Sequence, residues 1–239
     1  MSPLMKTGLL AACVLGSSVA LAHEPGDIIL RAGAALVDPQ DSSDSVTLGG
    51  VGVGDGNWEV SVASNTQLGI TASYMLTDHF AVGILGATPF KHDIEADGSI
   101  AGAGKLGETK HLPPTLSLQY FPLDSSQPYQ PYAGIGLNYT NFFEEKTTDT
   151  LTGAVDAALG GGVIDDTELE LDDSFGLALE LGLDVRLTDR LGLNAALWWV
   201  DIDTTAEIHA IQDGNRIGTA EVDVDIDPMV YMVGLSYRF

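Results

Sequence analysis

From Phe175 to Val185 every second residue is apolar: Phe175, Leu177, Leu179, Leu181, Leu183 and Val185. The places between and around them hold Ser174, Glu180, Asp184 and Arg186. Period two with one apolar and one charged face is the signature of a strand, not a helix. Seven other segments carry the same alternation: Asp27–Val37, Thr66–Leu76, Phe80–Phe90, Leu112–Phe121, Pro131–Asn141, Leu191–Val200 and a last one running to Phe239. Each is about ten residues long, the length a tilted strand needs to cross a bilayer. After residue 22 there is no run of some 20 predominantly apolar residues, so no transmembrane helix is expected.

The links between these segments alternate in length. Residues 77–79, 122–130 and 187–190 are short links, whereas 38–65, 91–111, 142–173 and 201–219 are long ones. This layout predicts an all-β fold: an eight-stranded antiparallel transmembrane β-barrel with both termini on the short-link, periplasmic side and four long extracellular loops. In lipid every backbone N–H and C=O must pair within the protein, and a closed barrel leaves no edge. A soluble lipocalin-like barrel would turn its apolar face inward and its polar face out. Here one face carries Leu, Val, Tyr and Trp, while the other carries Arg31, Glu180, Asp184 and Arg186, which suits a polar lumen. An unpaired charge in a narrow lumen is costly, so Arg31 is expected within reach of Glu180 or Asp184.

The first 22 residues read as a cleaved signal peptide: Lys6, an apolar stretch from Thr7 to Leu21, and Ala20-Leu21-Ala22 before His23. Residues 23–239 then form a single barrel domain in the bacterial outer membrane. A lipobox reading of Leu10-Ala11-Ala12-Cys13 competes, but the apolar stretch before Cys13 is very short. Cys13 is the only cysteine, so the exported chain has no disulfide. The net charge of −24 excludes nucleic acid as a partner. No G-x-S-x-G, H-E-x-x-H or P-loop motif is present, so neither an enzyme nor a cofactor is expected. The five histidines are scattered. His92 and His111 flank one long link and read as solvated loop residues, since a metal site needs more ligands.

Several stretches resemble the outer-membrane protein W family, especially its OprG-like branch: "HEPGDIILRAGAALVDP", "TQLGITASYML", "GATPFKH", "LPPTLSLQYFP", "YQPYAGIGLNYTNFF", "DSFGLALELGLDV" and "VDVDIDPMVYMVGLSYRF". The resemblance covers essentially all of residues 23–239. Its most specific parts are "ATPF", "LPPTL" and the "DVDIDP" run before the last strand. It implies a Gram-negative outer-membrane barrel that passes small, mostly hydrophobic molecules. The long loops match least, so the identity of the solute does not carry over. A non-transporting structural barrel, or a receptor that binds partners through its loops, is the alternative.

Prolines sharpen the expected path. Pro89 lies in the third segment and Pro113-Pro114 in the fourth, and antiparallel pairing from the short turn sets Pro89 opposite residue 112. Two readings fit: bulges that end the strands at the rim, or a weakened wall where a ligand leaves sideways. The family resemblance favours the second. The path would enter between the long loops, pass Trp58, Phe90, Phe142 and Phe143, and exit near Pro89. An eight-stranded barrel has an interior just wide enough for side chains, which argues against a wide aqueous pore.

Two further features stand out. Asp201 and Asp203 follow the seventh segment, and Asp223, Asp225 and Asp227 precede the eighth. They read either as a solvated strand extension or as a site where divalent cations bridge to lipopolysaccharide phosphates. The eighth segment must close the ring against the first. Its Tyr237 and Phe239 suit the lipid interface, and a terminal Phe on such a strand resembles the signal read by the barrel-assembly machinery.

Overall fold

The computed structural model describes residues 23–48 and 50–239, so the expected signal segment lies outside the described residues. β1 (Ile28–Asp38) leads into three short strands, β2 (Ser42–Ser43), β3 (Thr47–Leu48) and β4 (Val51–Gly52), and then β5 (Trp58–Val62). β6 (Asn65–Met75) and β7 (Phe80–Ala87) follow, then β8 (Phe90–Gly98), β9 (Lys105–Leu112) and β10 (Thr115–Tyr120). β11 (Tyr129–Thr147) is succeeded by helix α1 (Asp149–Ala158) and β12 (Asp166–Leu171). Last come β13 (Ser174–Arg186), β14 (Leu191–Val200), β15 (Asp203–Gln212), β16 (Asn215–Asp225) and β17 (Met229–Arg238).

Eight of these strands close a ring in the order β1-β6-β7-β10-β11-β13-β14-β17, with β17 pairing back to β1 from Asp38↔Met229 to Ile29↔Arg238. All neighbours are antiparallel. Alternation decides which face meets lipid. Outward-pointing Leu181 and Ile135 are 61% and 56% exposed, while inward-pointing Arg31 is fully buried. A soluble protein rarely leaves so continuous an apolar surface uncovered. Two of the short turns use one device: Thr77 Oγ1 accepts from Phe80 N (3.0 Å) and Thr188 Oγ1 from Leu191 N (3.0 Å). The first and last described residues, His23 and Phe239, belong to this end, where Phe239 N donates to Ile28 O (3.0 Å).

Beyond the other end the chain builds two further walls, and here the structure departs from the sequence reading. The upper part of β11 pairs with β9, β9 with β8, and β8 with β5. Facing it is a second sheet, β12-β15-β16-β3-β4, with β2 on β16. The stretch expected as a loop at 201–219 is therefore mostly a hairpin. It turns at Asp213-Gly214, both at positive φ (49° and 76°), as a tight two-residue turn requires. The eighth membrane strand begins only at Met229. The 142–173 stretch is not a loop either. α1 starts at Thr148, whose hydroxyl accepts from Leu151 N, and stops at Gly160-Gly161-Gly162, all at positive φ. The Asp156 carboxylate then accepts from Gly162, Val163 and Ile164 N, which fastens the turn into β12.

The two walls enclose an apolar interior. Val60, Leu106 and Phe142 come from one side, Ala206, Ile208, Val222 and Val224 from the other, and Val37, Ile202 and Ile226 lie beneath.

Candidate functional site

The third and fourth membrane strands end early. β7 and β10 pair from Phe80↔Tyr120 up to Leu85↔Thr115, and pairing resumes above as β8 on β9 at Phe90↔His111. Between these points four residues, 86–89, face three, 112–114, with no ladder pair across the gap. Pro89, Pro113 and Pro114 have no N–H to give, and the unequal counts slip the register by one. The break is one-sided. Ala87 pairs with Gly69, Thr88 N donates to Leu68 O (3.0 Å), and Tyr139 N donates to Pro114 O (3.1 Å). Both segments thus stay bonded to their other neighbours.

Behind the gap lies a cavity of about 20 Å³, lined by Leu85, Gly86, Phe90, His111 and Pro113 among others. Val37, His111 and Ile202 also line a second cavity of about 60 Å³, reaching up to Phe142, Val60 and Val224. Val60, Leu106, Leu151 and Ile208 connect that one to a third, of about 460 Å³, under α1 and beside Trp58. Three apolar spaces therefore adjoin one another from the top of the molecule down to the gap. Trp58, Phe90 and Phe142 line them, one in each. Phe143 does not stand with these three: strand alternation turns it to the other face of β11, opposite Lys110, and it remains half-buried there.

His92 and His111 are buried in this wall rather than solvated. Their Nε2 atoms are 2.9 Å apart, His92 Nδ1 lies 2.5 Å from Ala63 O, and the His111 ring stacks on Phe142. His111 Nδ1 has no hydrogen-bond partner among the described residues. Burial pushes the His111 imidazole down to about 3, with His92 adding to the effect, and burial lowers His92 as well. Both rings are neutral at ordinary pH.

Below the gap the lumen is filled. Arg31 on β1 donates to Asp184 on β13 through Nε (3.0 Å) and Nη2 (2.5 Å), and through Nη1 to Ser73 Oγ (2.6 Å). Ser73 passes a bond to Gln119 Oε1, and Gln119 Nε2 donates to both oxygens of Glu180 (3.0 and 2.9 Å), which Ser117 Oγ also reaches (3.1 Å). Asn194 bridges Asp184 to the Tyr132 hydroxyl, and the Arg31 guanidinium sits 4.8 Å over the Tyr132 ring. Of the expected lumen residues, Arg31 meets Asp184 directly and Glu180 only through Ser73 and Gln119. Arg186 lies lower, near the short turns, where Nη2 donates to Ser126 O. Sequence reasoning missed Gln119, Asn194 and Tyr132 as partners, although each occupies an inward place in its strand.

Asp201, Asp203 and Asp227 gather within 4.8 Å of one another, and Asp203 stands opposite Asp225. Burial raises the Asp203 carboxyl above the usual range, and Asp201, Asp225 and Asp227 add to it. Asp201 and Asp227 are engaged with backbone, accepting from Leu177 N and Ile202 N, and Asp223 accepts from Thr205 Oγ1. These acids cap the junction between barrel and upper walls.

The OmpW family model matches residues 24–239. The chain belongs to the OmpW family. Outer membrane protein W of Vibrio cholerae serotype O1 is 43% identical over 233 residues, covering 97% of each chain. The protein of the same name from Escherichia coli K12 is 38% identical over 232 residues, covering 96% of each. Among solved structures, the crystal structure of OprG from Pseudomonas aeruginosa is similar with a TM-score of 0.79 at 40% identity, covering 91% of this chain and 98% of that one. This OmpW-family chain is thus an eight-stranded barrel of the bacterial outer membrane, set among lipid and lipopolysaccharide.

Proposed function

We propose that this OmpW-family barrel is a channel for passive uptake of small hydrophobic or amphipathic molecules, which leave sideways through the wall at Pro89, Pro113 and Pro114. The observation that carries this reading is the one-sided gap between β7 and β10, with apolar cavities adjoining it from above. Lipid forbids unbonded backbone unless it lines a cavity, and this backbone does. The filled lumen supports the same route. A solute moving straight down would have to part the Arg31–Asp184 pair and then enter water, losing about 0.8 kcal/mol for each methylene exposed. Going sideways keeps that gain. Trp58, Phe90 and Phe142 then serve as the apolar lining, and the orphaned Nδ1 of His111 offers one polar contact to an amphipathic solute.

The test is uptake of a panel of small solutes, graded from charged to apolar, by cells with and without the protein. Faster uptake confined to the apolar and amphipathic members is expected. Equal uptake across the panel would refute transport and favour a structural or receptor role for the loops.

A further inference from the structure

The outer face of the β12-β15-β16 sheet, away from the cavities, carries an unusual group. Glu170 and Glu207 stand directly opposite each other across β12 and β15. Like charges in that position destabilise an antiparallel ladder. His209 follows two residues on along the same face, 4% exposed, with its Nδ1 2.9 Å from Thr219 Oγ1 on β16. Its Nε2 is buried without a hydrogen-bond partner and lies 3.5 Å from Oε2 of both Glu170 and Glu207.

We propose that Glu170, Glu207 and His209 form a binding site for a divalent transition metal of the zinc class. The separations fit. Zinc bonds of about 2.0–2.1 Å in tetrahedral geometry place neighbouring ligand atoms roughly 3.3 Å apart. All three ligand atoms here lie within 4.8 Å of one another, so a small carboxylate rotation completes the set. Thr219 supplies the outer contact that a ligating imidazole needs: with Nδ1–H donating to its hydroxyl, the Nε2 lone pair is aimed between the two carboxylates. In that tautomer an acceptor faces two acceptors, an arrangement that a cation between them relieves. Arg216 does not take that place. It binds Glu168 Oε2 (3.0 Å from Nε) and the far oxygen of Glu170, leaving Glu170 Oε2 free. Glu168, Glu170 and Glu207, with Glu221 opposite Glu207 on β16, outweigh the single charge of Arg216, so the face carries a net negative charge that a dication lowers. The imidazole selects zinc-class ions over calcium or magnesium, which prefer oxygen. Both carboxylates are open to solvent, so an ion enters from outside. Once bound it ties β12, the strand after α1, to the β15–β16 hairpin.

The test is calorimetric titration of zinc chloride into the tag-free protein in detergent micelles, in metal-free buffer near neutral pH. The parent should bind one zinc at this site, and His209→Gln and Glu207→Gln should each weaken it at least tenfold. Millimolar calcium should not compete, and Glu168→Gln should retain binding. Heat-modifiable gel mobility checks that each variant keeps its barrel. A parent that binds no zinc overturns the proposal. So does a titration unchanged by either of the first two substitutions.

Discussion

Arg31 on β1 and Asp184 on β13 reach across the ring to form a two-pronged ion pair inside the barrel, with Arg31 wholly buried and Asp184 partly exposed. Two strands that never pair are thereby joined through the lumen. Removing Arg31 leaves the Asp184 carboxylate inside the lumen without its countercharge, which costs up to about 3–5 kcal/mol. Arg31→Met should lower the unfolding free energy by that order in denaturant titrations in micelles. The double variant Arg31→Met with Asp184→Leu should recover much of the loss, because no orphan charge remains. Equal losses for the single and double variants would contradict the pairing.

The buried histidines set an acid dependence of the upper walls. The folded state holds His111 down to about 3, whereas the unfolded chain titrates near 6.5. The unfolded state therefore binds more protons between these values, and stability rises with pH across that window. Acidification from pH 6.5 toward 3 should loosen β8 and β9, by up to about 1.4 kcal/mol per pH unit. Hydrogen exchange at these strands measures this. Carboxylates such as Glu108, held at about 2 by Lys105, Lys91 and Lys146, add a loss of the same sign at the acid end. The difference between the parent and a His111→Gln variant isolates the histidine part, and the variant should show the shallower slope.

Phe239 separates assembly from stability. Its backbone closes on Ile28, but the residue is 65% exposed, with its ring centroid 4.8 Å from that of Tyr237 in an edge-on arrangement. Phe239→Ala should leave refolded protein within about 0.5 kcal/mol of the parent, as exposed substitutions do. The amount assembled in the outer membrane should nevertheless fall severalfold if the terminal aromatic is read by the assembly machinery. Parallel losses in both measurements would make the residue merely structural.

The barrel was legible because lipid imposes a period-two pattern on eight segments of about ten residues, with charged residues such as Arg31 and Glu180 on the face opposite the large apolar side chains. The sixth segment, Ser174–Arg186, coincides with β13. The upper walls were harder to see, since residues beyond the membrane length look like loops in a barrel layout. Signals were nonetheless present. Thr204, Ala206, Ile208 and Ala210 alternate on β15, and Asp213-Gly214 is a hairpin turn. Thr148 is a good helix cap before Leu151 and Val155. Pro89 and Pro113 marked the break, because a proline has no N–H to donate to the ladder. The pairing of His92 with His111, and of Glu170 with Glu207, depends on registers set by distant packing. No local pattern announces either.

A sideways exit requires the wall to open where β7 and β10 lose their ladder. Pro89→Val restores one N–H at the gap and favours extended backbone, so it should extend pairing toward the rim without disturbing the barrel below. The most direct measurement is the uptake rate of one small apolar solute by cells carrying equal surface amounts of the parent and of Pro89→Val. Uptake by the variant should be several-fold slower, with its barrel folded and its level in the outer membrane unchanged. Uptake equal to that of the parent would contradict a sideways exit at this wall.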